Sequence, residues 1–305
     1  MNFDITILGC GAATPTRRHR PTAQVVSIRD NYFLLDCGEG TQMQMRELGI
    51  KMQRIDYILI SHLHGDHIYG LLGLLSTFSL LGRTQSVTLI GPADLKKWVD
   101  DSFKMSETYL TYPIEFIATH QDVVEVVWQN EWLEVHAIPL KHRLHCNGFL
   151  FKEKPHERKV MKSMLGEKKI LLEEIIQLKK NQVVHRDNGE VLDPDEVCSP
   201  PFRQRSYFFS SDTIPILHEY DVLKGVDMLY HEATFLNDKI ERAKTTFHST
   251  AEQAAKVAQH LGVKKLLLGH FSARYGDLNA FIEEAKPFFE AVEIAEEGRT
   301  WEIPL

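Results

Sequence analysis

The segment Ser61-His62-Leu63-His64-Gly65-Asp66-His67 constrains the fold of this chain more than any other stretch. It follows an apolar run, Asp56 to Ile60, which predicts a buried β-strand, and it precedes a second apolar run, Ile68 to Leu75, which is long enough to form a helix. Three imidazoles and one carboxylate therefore lie in a turn between a strand and a helix. In α/β proteins this is the position at which the sheet carries its ligands.

The spacing of these side chains favours a pair of metal ions. His62 and His64 alternate along an extended backbone and can point to one side, whereas Asp66 and His67 follow the sharp turn that Gly65 permits and can face a second point. Imidazoles and a carboxylate without thiolates favour Zn²⁺, and Mn²⁺ or Fe²⁺ also fit. The alternative, a chance cluster of capping residues, would leave polar groups without partners beside apolar flanks. We therefore predict two ions a few ångströms apart.

Composition restricts the class of protein and its compartment. The 305 residues are 43% hydrophobic and carry a net charge of −7, so the chain can bury a large core and does not attract nucleic acid through its overall charge. Its cysteines form no CxxC pair, which predicts reduced thiols in a cytoplasmic protein. The N-terminus has no targeting pattern and no apolar run approaches membrane-spanning length, so we expect no membrane partner.

Short β-rich runs alternate with helical runs along most of the chain. This pattern predicts an α/β protein of two sheets packed face to face with helices outside, a four-layer αββα sandwich, built from residues 1–151 and 202–305. Residues 152–201 interrupt the pattern, because they are rich in lysine and glutamate and are punctuated by prolines. We interpret them as an inserted flexible arm. Its basic side chains form either a binding face or an ordinary solvated surface.

Further metal-binding types of side chain follow other predicted strands. His142 lies nearest the end of the strand that begins near Trp132, and His145 is its competitor for the role of ligand. Asp212 and His270 each follow an apolar strand. A carboxylate at such a position can bridge two metals through its two oxygens, so Asp212 is the candidate bridge.

Other positions offer groups that could act on or around a phosphate. The glycine-rich turn at residues 9–13 either holds a phosphate through backbone N–H groups or is an ordinary tight turn. Asp36 either supports a metal-binding histidine or caps a turn. His248 precedes the helix predicted over Ala251 to Leu261, where it could donate a proton to a bound phosphate. Arg274 could grip a phosphate with its planar guanidinium.

Taken together, the motifs resemble those of a known superfamily. A strand followed by HxHxDH, a distant His, an Asp and a final His resembles the metallo-β-lactamase fold superfamily. Further motifs, which extend the resemblance over nearly the whole chain, narrow it to the ribonuclease Z (tRNase Z) family of tRNA 3′-processing endonucleases. They are Leu8-Gly9-Cys10-Gly11-Ala12-Ala13-Thr14-Pro15, Asp212-Thr213, His231-Glu232-Ala233-Thr234-Phe235, His248-Ser249-Thr250 and His270-Phe271-Ser272-Ala273-Arg274-Tyr275.

The resemblance implies a role for each candidate residue. The ligands of one zinc ion would be His62, His64 and His142, those of the other Asp66, His67 and His270, with Asp212 between them. Asp66 would also accept the proton of the attacking water. His248, oriented by Glu232, would donate a proton to the leaving oxygen, and Thr213 and Arg274 would contact the substrate.

The resemblance also implies a substrate and an assembly. Precursor tRNA would be cleaved after the discriminator base, leaving a 3′-hydroxyl on the tRNA and a 5′-phosphate on the trailer. The arm would clamp the tRNA elbow, and in a homodimer the arm of one subunit would serve the active site of its partner. The chain departs from the family here, because the stretch Met164 to Leu171 lacks the usual Gly-Pro turn.

Two other functions are compatible with parts of the sequence. The first is another dinuclear-metal phosphodiesterase or an arylsulfatase-like hydrolase of the same superfamily that acts on small substrates, although a small ester needs no arm. The second is a non-catalytic RNA-binding protein on a degenerate scaffold, which the complete set of candidate ligands argues against.

Overall fold

Strands with two buried faces determine how the chain is layered. The computed structural model describes residues 2–215 and 220–305. In the first strand, Phe3, Ile5 and Ile7 join one cluster of buried side chains, whereas Leu8 joins a second cluster. Because successive side chains of a strand point to opposite faces, a strand with this pattern must be covered on both sides.

The predicted strands and helices are present, with shifted bounds. The strands are β1 (Phe3–Gly9), β2 (Gly11–Ala12), β3 (Ala23–Ile28), β4 (Asn31–Leu35), β5 (Tyr57–Leu59), β6 (Val87–Pro92), β7 (Ile114–Thr119), β8 (Glu125–Gln129), β9 (Leu133–Pro139), β10 (Asn147–Glu153), β11 (Lys159–Val160), β12 (Val184–His185), β13 (Val191–Leu192), β14 (Cys198–Ser199), β15 (Ser206–Ser210), β16 (Met228–Glu232), β17 (Lys265–Gly269), β18 (Phe271–Ser272), β19 (Val292–Ile294) and β20 (Thr300–Glu302). The α-helices are α1 (Thr41–Glu47), α2 (Gly65–Ile68), α3 (Leu71–Leu80), α4 (Asp94–Met105), α5 (Lys162–Glu167), α6 (Leu172–Lys179), α7 (Pro194–Val197), α8 (Ile240–Thr246), α9 (Ala251–Leu261) and α10 (Asn279–Ala285).

The sequence predicts helices over Leu278 to Phe289 and over residues 159–165, and both have different bounds in the structure. The helix expected from Leu278 to Phe289 ends at Ala285, because Pro287 has no N–H with which to continue the helical hydrogen bonds, although Lys286 before it still has helical dihedral angles. The helix expected over residues 159–165 begins only at Lys162, since Lys159 and Val160 pair with β14.

Two seven-stranded sheets form the centre of the molecule. Their strand orders are β20-β1-β3-β4-β5-β6-β7 and β19-β17-β16-β15-β10-β9-β8. Strands β4 to β7 are parallel to one another, and so are β15, β16, β17 and β19. The carboxyl ends of these parallel strands therefore lie side by side in each sheet, and the loops that follow them meet there.

Helices cover the outer face of each sheet, which confirms the four-layer αββα prediction. Between the sheets, the ring of Phe33 lies 5.1 Å from that of Phe151, and the Tyr207 hydroxyl donates a hydrogen bond to the side-chain oxygen of Gln24. Leu74 and Phe78 of α3 belong to the apolar cluster on the outer face of the first sheet. Helix α9 packs on β16 and β17 of the second sheet.

The inserted segment has a small core of its own. It connects β10 to β15, which pair directly with each other, and it contains the strand pairs β11–β14 and β12–β13. Ile170, Leu178, Leu192 and Val197 form its buried cluster. The bounds differ slightly from the predicted 152–201, because β10 continues to Glu153 and β15 begins only at Ser206. The division into a catalytic domain and an arm stays a prediction.

Cys10, Cys37, Cys146 and Cys198 are all buried and free of disulfide bonds. Among the described residues, none of the helices combines the length and the apolar character needed to cross a membrane.

A buried ion pair lies at the root of the insertion. The Arg205 guanidinium donates to both carboxylate oxygens of Glu153, at 2.8 and 3.0 Å, and to the carbonyl of Ile303 at 2.9 Å. Both side chains are fully buried. Removal of one partner from such a pair leaves an uncompensated charge in the core.

We expect Arg205→Met to lower the free energy of unfolding by about 3–5 kcal/mol, because the Glu153 carboxylate would stay buried without its partner. Denaturant unfolding measures the change. Arg54→Met is the matched control, since the pair of Arg54 with Asp30 is solvent-exposed and contributes little. The double variant Glu153→Leu with Arg205→Met should recover most of the loss. Equal unfolding midpoints for Arg205→Met and Arg54→Met would contradict this account.

Candidate metal centre

The predicted metal ligands lie at the strand ends and meet between the two sheets. Asp36 follows β4 and the segment Ser61 to His67 follows β5, both in the first sheet. Asp212 follows β15, and His270 follows β17, in the second sheet. His142 follows β9 and joins the same group of side chains. The structure therefore brings together residues that are up to about two hundred positions apart in the sequence, through strand order alone.

Three histidine nitrogens and one carboxylate oxygen form the first cluster. His62 Nε2 lies 2.9 Å from His64 Nδ1, which lies 3.2 Å from His142 Nε2. Asp212 Oδ2 lies 3.6 Å from His62 Nε2 and 4.0 Å from His142 Nε2. Ring nitrogens this close need a proton or a cation between them. These are the residues predicted for the first ion.

The second cluster contains the remaining predicted ligands. His270 Nε2 lies 3.3 Å from Asp66 Oδ2, and His67 Nε2 lies 3.6 Å from the same oxygen. Asp212 contributes its other oxygen here, since Oδ1 lies 3.2 Å from His270 Nε2 and 3.5 Å from His67 Nε2. The two oxygens of Asp212 thus face separate clusters, as a bridging carboxylate requires.

The tautomers of the histidines leave the required nitrogens free to bind a metal. The Nδ1–H of His67 donates to Asp36 at 2.7 Å, and that of His142 donates to the carbonyl of Phe247 at 3.0 Å. The Thr234 hydroxyl donates to a carboxylate, so its oxygen accepts from His270 Nδ1–H at 2.8 Å. Each of these rings therefore presents the lone pair of Nε2 to a cluster. Hydrogen bonds of this kind fix the ring orientation of metal-binding histidines.

Unpaired buried atoms show that the site fits divalent cations. His67 Nε2 and Asp212 Oδ1 are buried and have no hydrogen-bond partner within the described part of the chain. Burial alone would lower the pKa of His67, but the carboxylates of Asp212, Asp66 and Asp36 outweigh it and raise that pKa well above its usual value. A cation between the two clusters would satisfy the orphaned atoms and balance this negative potential.

Asp36 supports the centre from behind, which resolves its two alternative roles. It is fully buried and accepts hydrogen bonds from His67, from the Ser61 backbone N–H at 2.7 Å and from the Ser61 hydroxyl at 2.8 Å. Ser61 in turn contacts His62 Nδ1 at 3.0 Å. The structure therefore favours the supporting role over a turn cap. The sequence did not reveal the part played by Ser61, although it lies inside the motif.

We expect Asp36→Asn to weaken metal binding by about 10- to 100-fold, because an amide accepts the His67 proton poorly and no longer fixes that ring. Competition with a chelator, followed by measurement of bound metal, tests this. Asp56→Asn is a control, since the half-exposed Asp56 pairs with Arg83 outside the metal centre. Equal affinity in Asp36→Asn and the unmodified protein would show that Asp36 does not support the site.

His248 lies beside the second cluster and is held by Glu232, the partner that the family resemblance implies for it. Glu232 is fully buried and accepts a hydrogen bond from His248 Nδ1 at 2.9 Å, and Thr234 donates to the same carboxylate at 2.8 Å. Burial alone would lower the pKa of His248, but Glu232 and Asp212 outweigh it and raise that pKa to about 9. This contact uses Nδ1, so the Nε2–H of a protonated His248 stays available to a substrate. Thr234 was missed as a link between His248 and His270, although it lies within the HEATF motif.

A cavity of about 460 Å³ opens onto the clusters. Its lining includes Asp66, His248 and Arg274, together with Ala12 and Ala13 of the glycine-rich turn. In that turn, the backbone N–H of Ala13 donates to Asp66 Oδ2 at 2.7 Å. The turn therefore orients a candidate ligand, and no phosphate needs to be invoked to explain it. Arg274 is exposed, and its guanidinium contacts the Ser272 hydroxyl at 3.0 Å.

The structure distinguishes His142 from its competitor His145, and it gives Thr213 a buried position. His145 bonds to Asn147 at 2.8 Å and belongs to neither cluster, so His142 is the residue that joins the site. Thr213 is fully buried, and its hydroxyl donates to the carbonyl of Ile214 at 2.7 Å while it accepts from the Lys141 backbone N–H. The geometry therefore favours a structural role for Thr213 over the predicted contact with substrate.

The backbone around the site is strained at several positions. Ala13, Asp36, Phe247 and His270 have φ values of 59°, 53°, 60° and 58°, in the left-handed region that non-glycine residues seldom adopt. Each such residue costs roughly 1–3 kcal/mol and persists only where its surroundings hold it. The hydrogen bonds described above hold Asp36 and His270, and Phe247 ends α8 immediately before His248.

Comparison with known proteins places the chain in a family. The model of the family described as "Anti-Pycsar protein Apyc1" matches residues 3–154. The crystal structure of human tRNase Z, short form, is similar to this one with a TM-score of 0.71, and the two sequences are 27% identical over 99% of this chain and all of the human chain. Ribonuclease Z of Cytophaga hutchinsonii is 42% identical over 304 residues, which is 99% of this chain and 97% of the relative. Ribonuclease Z of Parabacteroides distasonis is 40% identical over 97% of this chain and 98% of the relative. The chain belongs to the ribonuclease Z family.

Proposed function

We propose that the chain is a zinc-dependent endoribonuclease that removes the 3′ trailer from tRNA precursors. The bridging geometry of Asp212, with one oxygen in each cluster, carries this proposal, because two cations so placed can act on both sides of an in-line displacement at phosphorus. Full-length relatives named ribonuclease Z support the choice of an RNA substrate.

Zinc is the proposed metal, with two ions per chain. The donor set contains only imidazole nitrogens and carboxylate oxygens, which suit zinc and also admit manganese or iron. His62, His64 and His142 would hold one ion, Asp66, His67 and His270 the other, and Asp212 both. When bound, the ions supply a water activated for attack and neutralise charge that develops on the phosphate.

The side chains of the cavity supply the proton transfers. Asp66, oriented by the Ala13 N–H, accepts the proton of the attacking water. As the oxygen of the water bonds to phosphorus, the bond from phosphorus to the 3′ oxygen breaks. His248, kept protonated by Glu232, donates to that 3′ oxygen. The products are a 3′-hydroxyl on the tRNA and a 5′-phosphate on the trailer.

The inserted arm gives a way to separate this proposal from a small-substrate hydrolase. Lys152 pairs with Ser206, and the Glu153 N–H donates to the Arg205 carbonyl, so an Asn-Gly turn can replace residues 155–203 without disturbing the sheet. We expect the arm-deleted protein to lose cleavage of precursor tRNA and to keep hydrolysis of bis(p-nitrophenyl) phosphate. Unimpaired tRNA cleavage without the arm would contradict the proposal. Efficient hydrolysis of small esters with no tRNA cleavage by the intact protein would favour the alternative.

We also propose a homodimer in which the arm of one subunit serves the site of its partner. Strand β10 starts beside Ser61 and runs away from the metal centre for seven residues, or roughly 20 Å, before the arm begins. The arm therefore projects from the end of the sheet opposite to its own metal centre. Mixing the arm-deleted protein with Asp212→Ala tests this, because a mixed dimer would have one complete site and regain activity. Two monomeric proteins, or no regain in a mixed dimer, would contradict it.

A further inference from the structure

Besides Arg274, two further arginines line the cavity and form no ion pair within the described part of the chain. Arg143 and Arg242 are exposed and line the cavity over the metal centre, and neither forms an ion pair with any residue in the ranges that the structure describes. Arginines elsewhere are commonly paired. Examples are Arg83 with Asp56, Arg158 with Asp195, Arg186 with Glu174 and Arg203 with Asp227.

The two arginines are fixed to the same wall as His248. Arg143 directly follows the candidate ligand His142, whose Nδ1–H donates to the carbonyl of Phe247. Arg242 lies on α8, one helical turn before Thr246, whose hydroxyl donates to the Arg242 carbonyl at 2.8 Å. The His248 N–H then bonds to the carbonyl of Ala243 at 2.8 Å. The backbone segments that carry the proposed proton donor and the two arginines are thus joined by hydrogen bonds.

The charge of these groups contrasts with that of the whole chain. The protein carries a net charge of −7, yet unpaired guanidinium groups face solvent beside the centre that would cut the phosphodiester. Guanidinium binds phosphate oxygens through two parallel hydrogen bonds and loses little hydration in doing so. A single small phosphodiester has only the phosphate that the metal centre would hold, whereas an RNA strand offers further phosphates on each side.

We propose that Arg143 and Arg242 bind phosphates of the RNA strand next to the scissile phosphate, and so make the enzyme select a polynucleotide over an isolated phosphodiester. This inference rests on the proposed function and adds a specificity site to it. Neither residue belongs to the motifs on which the family resemblance rests.

The test compares Arg143→Gln, Arg242→Gln and the double variant with Arg46→Gln. Arg46 is an exposed arginine near the end of α1, another seven-residue helix, and it lies outside the cavity lining. We expect each cavity variant to lower kcat/KM for a 3′-extended precursor tRNA about tenfold, as for loss of a charge-assisted hydrogen bond. The ratio of kcat/KM for precursor tRNA to that for bis(p-nitrophenyl) phosphate should fall by the same factor. Arg46→Gln should retain both values.

The salt dependence separates phosphate binding from a structural effect. The slope of log KM against log salt should become shallower by about 0.7 for each arginine that contacts a single-stranded phosphate. Arg242→Lys should keep the slope of the unmodified protein, because it keeps the charge, and should recover part of kcat/KM. Thermal unfolding checks that each variant is folded.

If the double variant and Arg46→Gln share the same kcat/KM and slope, the inference is overturned while the proposed function stands. If the unmodified protein does not cleave precursor tRNA, the proposed function itself fails.

Discussion

Asp212→Ala is expected to reduce cleavage of precursor tRNA by on the order of 10⁴-fold, a loss typical of residues that act as one catalytic unit. The physical reason is that, among the residues the structure describes, Asp212 alone has an oxygen in each cluster: Oδ2 lies 3.6 Å from His62 Nε2, and Oδ1 lies 3.2 Å from His270 Nε2. Its removal would therefore affect both of the proposed ions at once. Bound metal per chain should fall together with single-turnover cleavage.

Two variants serve as controls for Asp212→Ala. Asp212→Asn keeps the shape of the side chain and removes its charge, so it should also lose metal, although the pocket stays filled. Asp221→Ala changes a largely exposed aspartate that pairs with Lys224, and it should retain both metal and activity. Full metal occupancy with normal cleavage in Asp212→Ala would rule out a bridging carboxylate at this position.

His248→Ala is the second change with a large expected effect, a loss of about 10²- to 10⁴-fold in RNA cleavage, as for removal of a general acid. The ribose 3′ oxygen is a strong base and leaves poorly without a proton, which His248 would supply. The p-nitrophenolate ion leaves without a proton. We therefore expect His248→Ala to impair hydrolysis of bis(p-nitrophenyl) phosphate far less than it impairs cleavage of RNA.

The chain offers a close match for the His248→Ala control. His136 pairs with Glu134 at 3.2 Å and is 14% exposed, compared with 15% for His248, but it lies on β9 outside the cavity lining. His136→Ala should leave the rates for both substrates unchanged. An equal loss for both substrates in His248→Ala would mean that His248 acts through metal binding or folding, and would contradict its role as proton donor.

The candidate ligands were predictable because strand ends are predictable. An apolar run marks a buried strand, and the polar residue that follows it must lie at the edge of the sheet, so His62, His142, Asp212 and His270 could be placed before their contacts were known. The pairing of β4 with β5, and of β15 with β16 and β17, then brought the ends together.

Positions that depend on side-chain direction could not be predicted in this way. Thr213 follows the same strand end as Asp212, but its hydroxyl turns to the backbone of Ile214 and is buried. Asp36 could equally have capped a turn until its contact with His67 was seen. Arg143 and Arg242 carry no motif, and only the cavity that they share makes them candidates.

The break between α2 and α3 was also hidden in the sequence. The apolar run Ile68 to Leu75 reads as one helix, yet it is divided at Tyr69 and Gly70. A Cβ atom on Gly70 would lie 2.2 Å from the carbonyl oxygen of Gly38, so only glycine permits the close approach of these two backbones. Such an approach depends on tertiary packing, which a local pattern does not contain.

The most direct measurement is to map the products of a 3′-extended precursor tRNA incubated with the purified protein. We predict one major cut after the discriminator base, a 3′-hydroxyl on the tRNA, a 5′-phosphate on the trailer, and loss of the reaction in Asp66→Ala and on treatment with a chelator. A 3′-phosphate or 2′,3′-cyclic phosphate on the tRNA, or cleavage that persists in Asp66→Ala, would contradict hydrolysis at this metal centre.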